Sequence, residues 1–445
     1  MTRTGLNRRD FIGTLGGAAA SGALCAVLPE SLLAHAAGSE TLKVGLIGCG
    51  GRGTGAAMDA LCADPGAVLW SAGDAFADRL DSCLRHLSEE AAARDEESGG
   101  SSWRDRLQVS EDRRFVGLDA YQRVIDSGVD VVLLATAPVF RPIHLRAAVD
   151  AGKHVFCEKP VAVDAAGVRS VLDSALVAAG KGLSLVSGFC WRSSLAERAT
   201  MQRVHDGDIG ALRAVYTTYN TDGFPAPKPR KPEWSEMEFK LRNWHYFTAF
   251  SGDHIVEQAC HAIDWIAWAM RDRPPVRCTA VGGREVRPDL PETGNIFDHF
   301  AITYEYDDGA RAFHMCRHWP NSANDNSAYL IGEEGFADMH VWTPSHSIRA
   351  SGRPEWKYDG PRNNMYRAEH EELFASIRTG AARNDGERMA LSTLMAIMGR
   401  MAAYTGKVVT WQQAMTSTED LAPKTWTWGD CPTDPVARPG ITKLL

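Results

Sequence analysis

The tightest constraint on this chain is a glycine pattern in a particular place. Residues 42–47 form a continuous apolar run of strand type that ends in Gly48-Cys49-Gly50-Gly51-Arg52-Gly53, and a helix is expected over 54–63. Glycines at 48, 50 and 53 let the backbone turn sharply, approach a ligand closely and pack helix against strand. Such a loop aims backbone N–H groups and the positive end of a helix dipole at an anion such as a pyrophosphate. A second strand, 67–72, leads to Asp74, 26 residues after Gly48. That is close to the ~20-residue spacing at which an acid meets a ribose diol. Strand, Gly48-x-Gly50-x-x-Gly53, helix and acid together outweigh a merely structural turn and specify a dinucleotide site. Asp74 would repel a 2′-phosphate, and Ala75-Phe76-Ala77 brings no cation, so NAD is expected. Arg52, inside the loop, keeps NADP open.

The rhythm that follows fixes the first layer. Helices over 77–93, 119–127, 141–151 and 165–178 alternate with strands over 130–135, 154–157 and 183–187, which argues for a doubly wound parallel sheet. The polar stretch 95–102 reads as a surface insertion. Beyond about residue 210 the pattern changes. Strands over 212–219, 276–282, 297–306 and 310–317, with helices over 252–270, 366–379 and 386–404, predict a large, mostly antiparallel sheet with one face on helices. At 445 residues two domains are expected, over 41–190 and 191–430. The proline-rich, basic run Pro225 to Pro232 is expected as an extended surface loop.

Residues 1–36 read as an export signal. Arg8-Arg9-Asp10-Phe11 is a twin-arginine signature, a mildly apolar, Gly/Ala-rich segment follows, and Ala34-His35-Ala36 offers a cleavage site. The expected location is the periplasm or outer surface. The ten cysteines are scattered singly, so mostly free thiols are expected in a protein exported already folded. A net charge of −8 and the lack of a basic stripe argue against nucleic acid, and the mature chain shows no membrane span.

Two further stretches carry ionisable groups where apolar ones are expected. The buried strand 154–157 runs straight into Glu158-Lys159-Pro160. In the apolar segment 252–270, His254, Glu257, His261 and Asp264 fall on one face of a single helix. Charges in such surroundings are costly unless paired or used. A structural network, metal ligation by Glu257 and His261, and an acid–base site facing a cofactor all fit that spacing, and the last is favoured; no metal is expected.

Taken in order, Gly48-x-Gly50-x-x-Gly53, Glu158-Lys159-Pro160 and Glu257-x-x-x-His261-x-x-Asp264 resemble the Gfo/Idh/MocA oxidoreductases over most of the chain, from about Leu42 to Gly429. The resemblance implies a Rossmann domain followed by an α/β domain whose sheet commonly packs subunits together, hence a homo-dimer or homo-tetramer. It implies Lys159, His261 and Glu257 as catalytic residues, with glutamate at 257 where the family commonly has aspartate. In several members the Lys–Pro bond is cis, and Lys159–Pro160 is a candidate for the same. The nucleotide side takes in Gly51, Arg52, Thr136, Pro138, His144 and Glu158, with Glu158 read as a brace; Trp191, Arg192 and Asp264 are candidate substrate contacts. The expected substrate is a small sugar or cyclic polyol. The chemistry needs a base at the reacting hydroxyl, for which His261 suits, and a Lys159 whose pKa burial and the nicotinamide would lower. NAD-dependent glycoside cleavage by oxidation, elimination and reduction is the alternative. The H-G-L-G-P run associated with N-acetylgalactosaminidases is absent at His261-Ala262-Ile263-Asp264. A non-catalytic sugar-binding role is disfavoured by the presence of both Lys159 and His261.

Overall fold

The computed structural model describes residues 40–100, 102–342 and 345–445. The twin-arginine signature, the cleavage site and Cys25 lie outside the described residues.

Six parallel strands form the first sheet: β1 (Leu42–Ile47), β2 (Ala67–Asp74), β3 (Arg114–Val116), β4 (Val131–Leu134), β5 (His154–Cys157) and β6 (Leu185–Ser187). Their spatial order, 3-2-1-4-5-6, is that of the doubly wound dinucleotide fold, with the crevice between β1 and β4 where the order reverses. The central strands read as apolar runs because helices cover both faces, and every residue of β4 is buried. Helix α1 (Gly51–Ala63) leaves the glycine loop, and α2 (Ala77–Ser98) follows Asp74. The polar stretch after residue 94 is no insertion at its start: α2 continues to Ser98 and is closed by Gly99 at φ 69°. Helices α3 (Ala120–Asp126), α4 (Arg141–Asp150), α5 (Ala165–Gly180) and α6 (Leu195–His205) complete the first series. The Asp164 side chain caps α5 by accepting the Gly167 N–H at 2.8 Å, and also accepts that of Leu421 at 3.0 Å.

The second sheet has nine strands, from β7 (Leu212–Thr221) through β8 (Arg277–Gly283), β9 (His299–Glu305) and β10 (Arg311–His318) to short strands beyond residue 326. It is antiparallel except where β10 runs parallel to β7. One face is buried under helices. The other is open, with Val281 69%, Met315 51% and Tyr216 45% exposed. After α7 (Glu236–Arg242) and the short α8 (Thr248–Ser251), the segment read as one helix is two: α9 (His254–Glu257) and α10 (Cys260–Ala269).

Two late helices join the layers. Helix α11 (Met365–Thr379) returns to the first sheet, where Leu373, Phe374 and Ile377 share one core with Leu42, Val44 and Leu61. Helix α12 (Gly386–Thr405) is buried nearly throughout. From it the fully buried Arg400 donates to the Val163 carbonyl at 2.6 Å and the Gly252 carbonyl at 3.2 Å, tying the loop after β5 to the turn before α9. All nine cysteines among the described residues are unpaired, and eight are buried.

Candidate active site

The glycine loop is shaped by close approaches. Gly48 sits at φ 98°, and a Cβ there would stand 2.7 Å from the backbone at Ala135 and Thr136. A Cβ on Gly53 would fall 1.8 Å from the Gly48 carbonyl oxygen, so α1 rests directly on the end of β1. Gly50 and Gly51 have nothing within 4 Å of the corresponding position. The cradle at the start of α1 is therefore open, and Gly50, its N-cap, offers no side chain to satisfy the first N–H groups. Asp74 closes the far side: its carboxylate accepts the N–H of Cys49 at 2.7 Å and of Phe76 at 2.9 Å. Burial raises its pKa, against those two bonds. This is the geometry a dinucleotide requires, with amides for the pyrophosphate and an oriented acid for a ribose.

A cleft of about 290 Å³ runs from Gly48 and Asp74 past Thr136 to Lys159 and Glu257. At its Asp74 end it shares Phe76 and Arg242 with a wider cavity of about 930 Å³, walled by Lys228, Trp234 and Trp428. The loop Pro225 to Pro232 thus lies over the nucleotide side.

At the other end Lys159 and Glu257 meet, with His261 near enough to feel the Lys159 charge. The Lys159 ammonium donates to the Glu257 backbone carbonyl at 2.7 Å and lies 3.6 Å from its carboxylate. That carbonyl is free because the helix breaks there: His261 N–H bonds Gln258 at 3.3 Å instead of closing the turn onto Glu257. The other Glu257 carboxylate oxygen has no hydrogen-bond partner among the described residues, and neither has His261 Nδ1. The His261 ring is buried, stacked on Trp191 (4.9 Å, 22°) with the edge of Phe189 at 5.9 Å. Burial, then the Lys159 and Arg52 charges, hold its pKa well below the ordinary imidazole value, so it stays neutral. Lys159 differs from expectation. Burial pulls its pKa down, but Glu257 and then Glu158 more than offset this, and the pKa is raised. It is a standing cation.

Lys159 is aimed by its neighbours. The Lys159–Pro160 bond is cis. Arg141, buried at the start of α4, donates to the carbonyls of Pro160 and, at 2.8 Å, of Thr136. Glu158 lies against Lys159 and Arg52: it accepts the Lys159 N–H at 3.1 Å and pairs with Arg52 at 2.8 Å. Gly188 makes room for it, since a Cβ there would stand 2.7 Å from the Glu158 carboxylate.

Comparison with known proteins agrees with this architecture. Residues 42–183 match the oxidoreductase family with an NAD-binding Rossmann fold, and residues 198–338 match the Gfo/Idh/MocA C-terminal domain. The chain belongs to the Gfo/Idh/MocA oxidoreductase family. A mouse (Mus musculus) trans-1,2-dihydrobenzene-1,2-diol dehydrogenase is 25% identical over 233 residues, 52% of this chain and 61% of that protein. Inositol 2-dehydrogenase 3 of Saccharopolyspora erythraea is 27% identical over 267 residues, 57% and 68% of the two chains. The chain thus spans about 61% of the first of these relatives. Among solved structures, a levoglucosan dehydrogenase in complex with NADH and levoglucosan superposes with a TM-score of 0.63 at 18% identity, covering 83% of this chain and 99% of that one. The cofactor domain of this Gfo/Idh/MocA member is of the NAD-binding type, in keeping with Asp74.

Several sequence-predicted contacts take other roles. Arg192 and Asp264 are a buried clasp: the guanidinium chelates Asp264 at 2.7–3.0 Å and Asp272 at 2.6–3.1 Å, and Ser392 donates to Asp264 at 2.6 Å. With Nε, Nη1 and Nη2 all bound to the two carboxylates, Arg192 holds α10 in place and does not line the cleft. Trp191 is 2% exposed and supports His261 from behind. His254 leaves the expected face and packs on His318 (4.2 Å) and Phe300 (5.1 Å). His144 and Pro138 are buried behind the cleft, the former stacked on Tyr121 at 4.2 Å with Thr136 Oγ1 3.3 Å from its Nδ1. Arg52 is engaged by Glu158 and, at 3.2 Å, by Asp59, which withdraws it from any 2′-phosphate. Among the described residues no three His, Cys, Asp or Glu side chains converge on a metal-sized point. Reading the sequence alone passed over Arg141 and Gly188 and did not place Trp244 and His245, which the turn Trp244–Tyr246 brings into the cleft. Arg141 directly before Pro142 at the expected start of a helix, just after the loop Thr136-Ala137-Pro138, was the available signal.

Proposed function

We propose that this protein is an exported, NAD-dependent oxidoreductase that oxidises a ring hydroxyl of a sugar or cyclic polyol. The observation that carries the reading is the meeting of a charged Lys159 with Glu257 at one end of the glycine-loop cleft, one helical turn before a neutral, unbonded His261 that feels the Lys159 charge. Bound NAD would supply the acceptor for the hydride leaving the hydroxyl-bearing carbon. The chain's own residues handle the proton. Neutral His261 takes it from the hydroxyl, as a base of depressed pKa can at neutral pH. Lys159 donates a charged hydrogen bond to the same oxygen and stabilises negative charge there as the proton leaves. Glu257, with one free carboxylate oxygen, accepts from a neighbouring hydroxyl and orients the ring. Gly50, Gly51 and the start of α1 would hold the pyrophosphate, and Asp74 the adenosine ribose. Relatives named for a cyclic diol, an inositol and a sugar anhydride support this substrate class.

The Arg8-Arg9 signature supports export of a folded protein with its cofactor aboard. A cofactor carried out of the cytoplasm has to be regenerated on the enzyme, so oxidation of one sugar coupled to reduction of another is the cycle we favour. The open apolar face of the second sheet, around Val281, Met315 and Tyr216, supports a homo-oligomer.

The direct test is to denature purified protein and scan the supernatant for NAD, then to offer the native protein a panel of sugars and cyclic polyols while following NADH absorbance. Bound or saturably binding NAD, reduced by at least one member of the panel, is the expected result. A protein that neither carries nor binds NAD ends the enzyme reading.

A further inference from the structure

Beyond the catalytic cleft lies a pocket of about 240 Å³ that the hydride chemistry leaves unused. Its wall is drawn from three places: Ser194 and Glu197 at the start of α6, Trp342 and His346 ahead of the strand Ser347–Ala350, and residues 362–366 leading into α11. Two polar side chains in that wall are nearly sealed from solvent, Glu197 at 1% and His346 at 2% exposure. Glu197 Oε2 and His346 Nδ1 have no hydrogen-bond partner among the described residues. The pair does not satisfy itself, since His346 Nε2 and Glu197 Oε1 stand 3.9 Å apart, too far for a hydrogen bond. A buried carboxyl and imidazole left open in this way cost stability, and something that enters the pocket has to complete them. In the same wall Trp342 keeps 56% of its surface exposed, although it meets Trp191 edge-on at 6.5 Å.

Charge narrows what fits. Burial pushes Glu197 up to about 8 and His346 down to about 4, so at pH 7 both are neutral. Together they offer donors and acceptors without a net charge. Arg362, the one cation among the described lining residues, is exposed to solvent, so an anion has no buried partner here. The volume lies below the ~300–1,000 Å³ of sites for drug-sized ligands, which suits a single ring. A pyranose matches the set, with an apolar C–H face for an indole and hydroxyls that both donate and accept at its edge. We propose that this pocket is a second sugar site, which takes one neutral pyranose ring with its apolar face on Trp342 and its hydroxyls on Glu197 and His346. A sugar held there sits one side chain away from the catalytic groups on two sides. Tyr366 of the pocket carries Arg52 of the cleft over its ring at 4.9 Å, and Trp191, the edge-on neighbour of Trp342, is stacked on His261. The site needs neither NAD nor hydride transfer, so it stands apart from the oxidoreductase reading.

The experiment uses the full protein labelled with 5-fluorotryptophan and followed by fluorine NMR, with Trp342→Phe and Trp244→Phe assigning the two signals that matter. Trp342 reports the pocket and Trp244 the cleft. Titration with the methyl pyranosides of glucose, galactose and mannose is expected to move the Trp342 signal saturably with at least one of them, and inorganic phosphate is expected to leave it in place. Glu197→Leu is expected to weaken that binding ~10-fold, the scale of a lost hydrogen bond, whereas a merely structural carboxyl would leave it unchanged. Leucine also removes an unsatisfied buried polar group, so the fold is expected to tolerate it. A Trp342 signal that no pyranoside moves overturns the proposal. Movement of Trp244 alone overturns it too, as does movement by phosphate alone or an unchanged affinity in folded Glu197→Leu. The wild-type titration decides the matter even if the variant does not fold. Saturable movement of Trp342 in a protein that neither carries nor binds NAD would end the oxidoreductase reading and leave this inference standing.

Discussion

At Lys159 two forces oppose each other, and the charges win. Burial alone would make it a neutral amine suited to accept a proton, but Glu257 and Glu158 keep it protonated. The division of labour with neutral His261 follows. Lys159→Met is expected to keep NAD bound and to lower kcat ~10²–10⁴-fold, the range of a lost acid–base partner; steady-state rates and cofactor content check both halves. The same substitution removes a positive charge that holds His261 down. Its imidazole is therefore expected to titrate at higher pH in Lys159→Met than in the wild type, measured by NMR of the histidine ring protons; an unmoved titration would show that the two groups do not sense each other. Gly48, Gly53 and Asp74 were legible in the sequence because each answers a backbone or spacing demand that few residues meet. Arg192 and Asp264 were misread because a charge in an apolar segment looks functional until its partner is known. Here the partners stand 72 positions apart.

Glu257 and His261 were found by helical periodicity, although the helix that carries them is broken between them. Four residues of α9 and ten of α10 meet at Gln258–Ala259, and the break is what frees the Glu257 carbonyl for Lys159. Nothing in Val256-Glu257-Gln258-Ala259-Cys260 announces it, since it depends on a lysine almost a hundred positions earlier. What fixes α10 beyond the break is the Arg192–Asp264–Asp272 clasp. Arg192→Leu leaves Asp264 buried without its cation, and a loss of ~3–5 kcal/mol is expected in urea unfolding. In the folded fraction NAD content should be unchanged. A stable variant with a raised KM would instead return Arg192 to the substrate.

The whole molecule carries an unusual load of neutral histidine. Burial holds His144, His314, His318 and His370 at about 3, and His154 and His346 at about 4, below the ordinary 6.5. As pH falls below that value the unfolded chain binds protons that the native state refuses, so stability is lost on acidification. Each such histidine costs up to ~1.4 kcal/mol per pH unit. Asp253, pushed up to about 6, and Glu197, pushed up to about 8, act in the opposite sense because the native state takes their protons first. Ten imidazoles held down in the native state against five carboxyls held up leave a net loss, and the Tm by calorimetry is expected to fall steadily from pH 7 to pH 5. A flat profile would mean that these rings are hydrated in solution.

The order of the two layers was legible from strand and helix rhythm, but the return of α11 to the first sheet was not, because an amphipathic helix does not state which layer it will cover. That return sets a timetable. The nucleotide-binding layer lacks Leu373, Phe374 and Ile377 until nearly the whole polypeptide has left the ribosome, so its core stays unsealed through most of synthesis. A fragment ending near residue 190 would carry every glycine of the cradle and still expose an apolar strip where α11 belongs. Commitment to the native state, and any translocation that demands it, would have to wait for the last fifth of the chain.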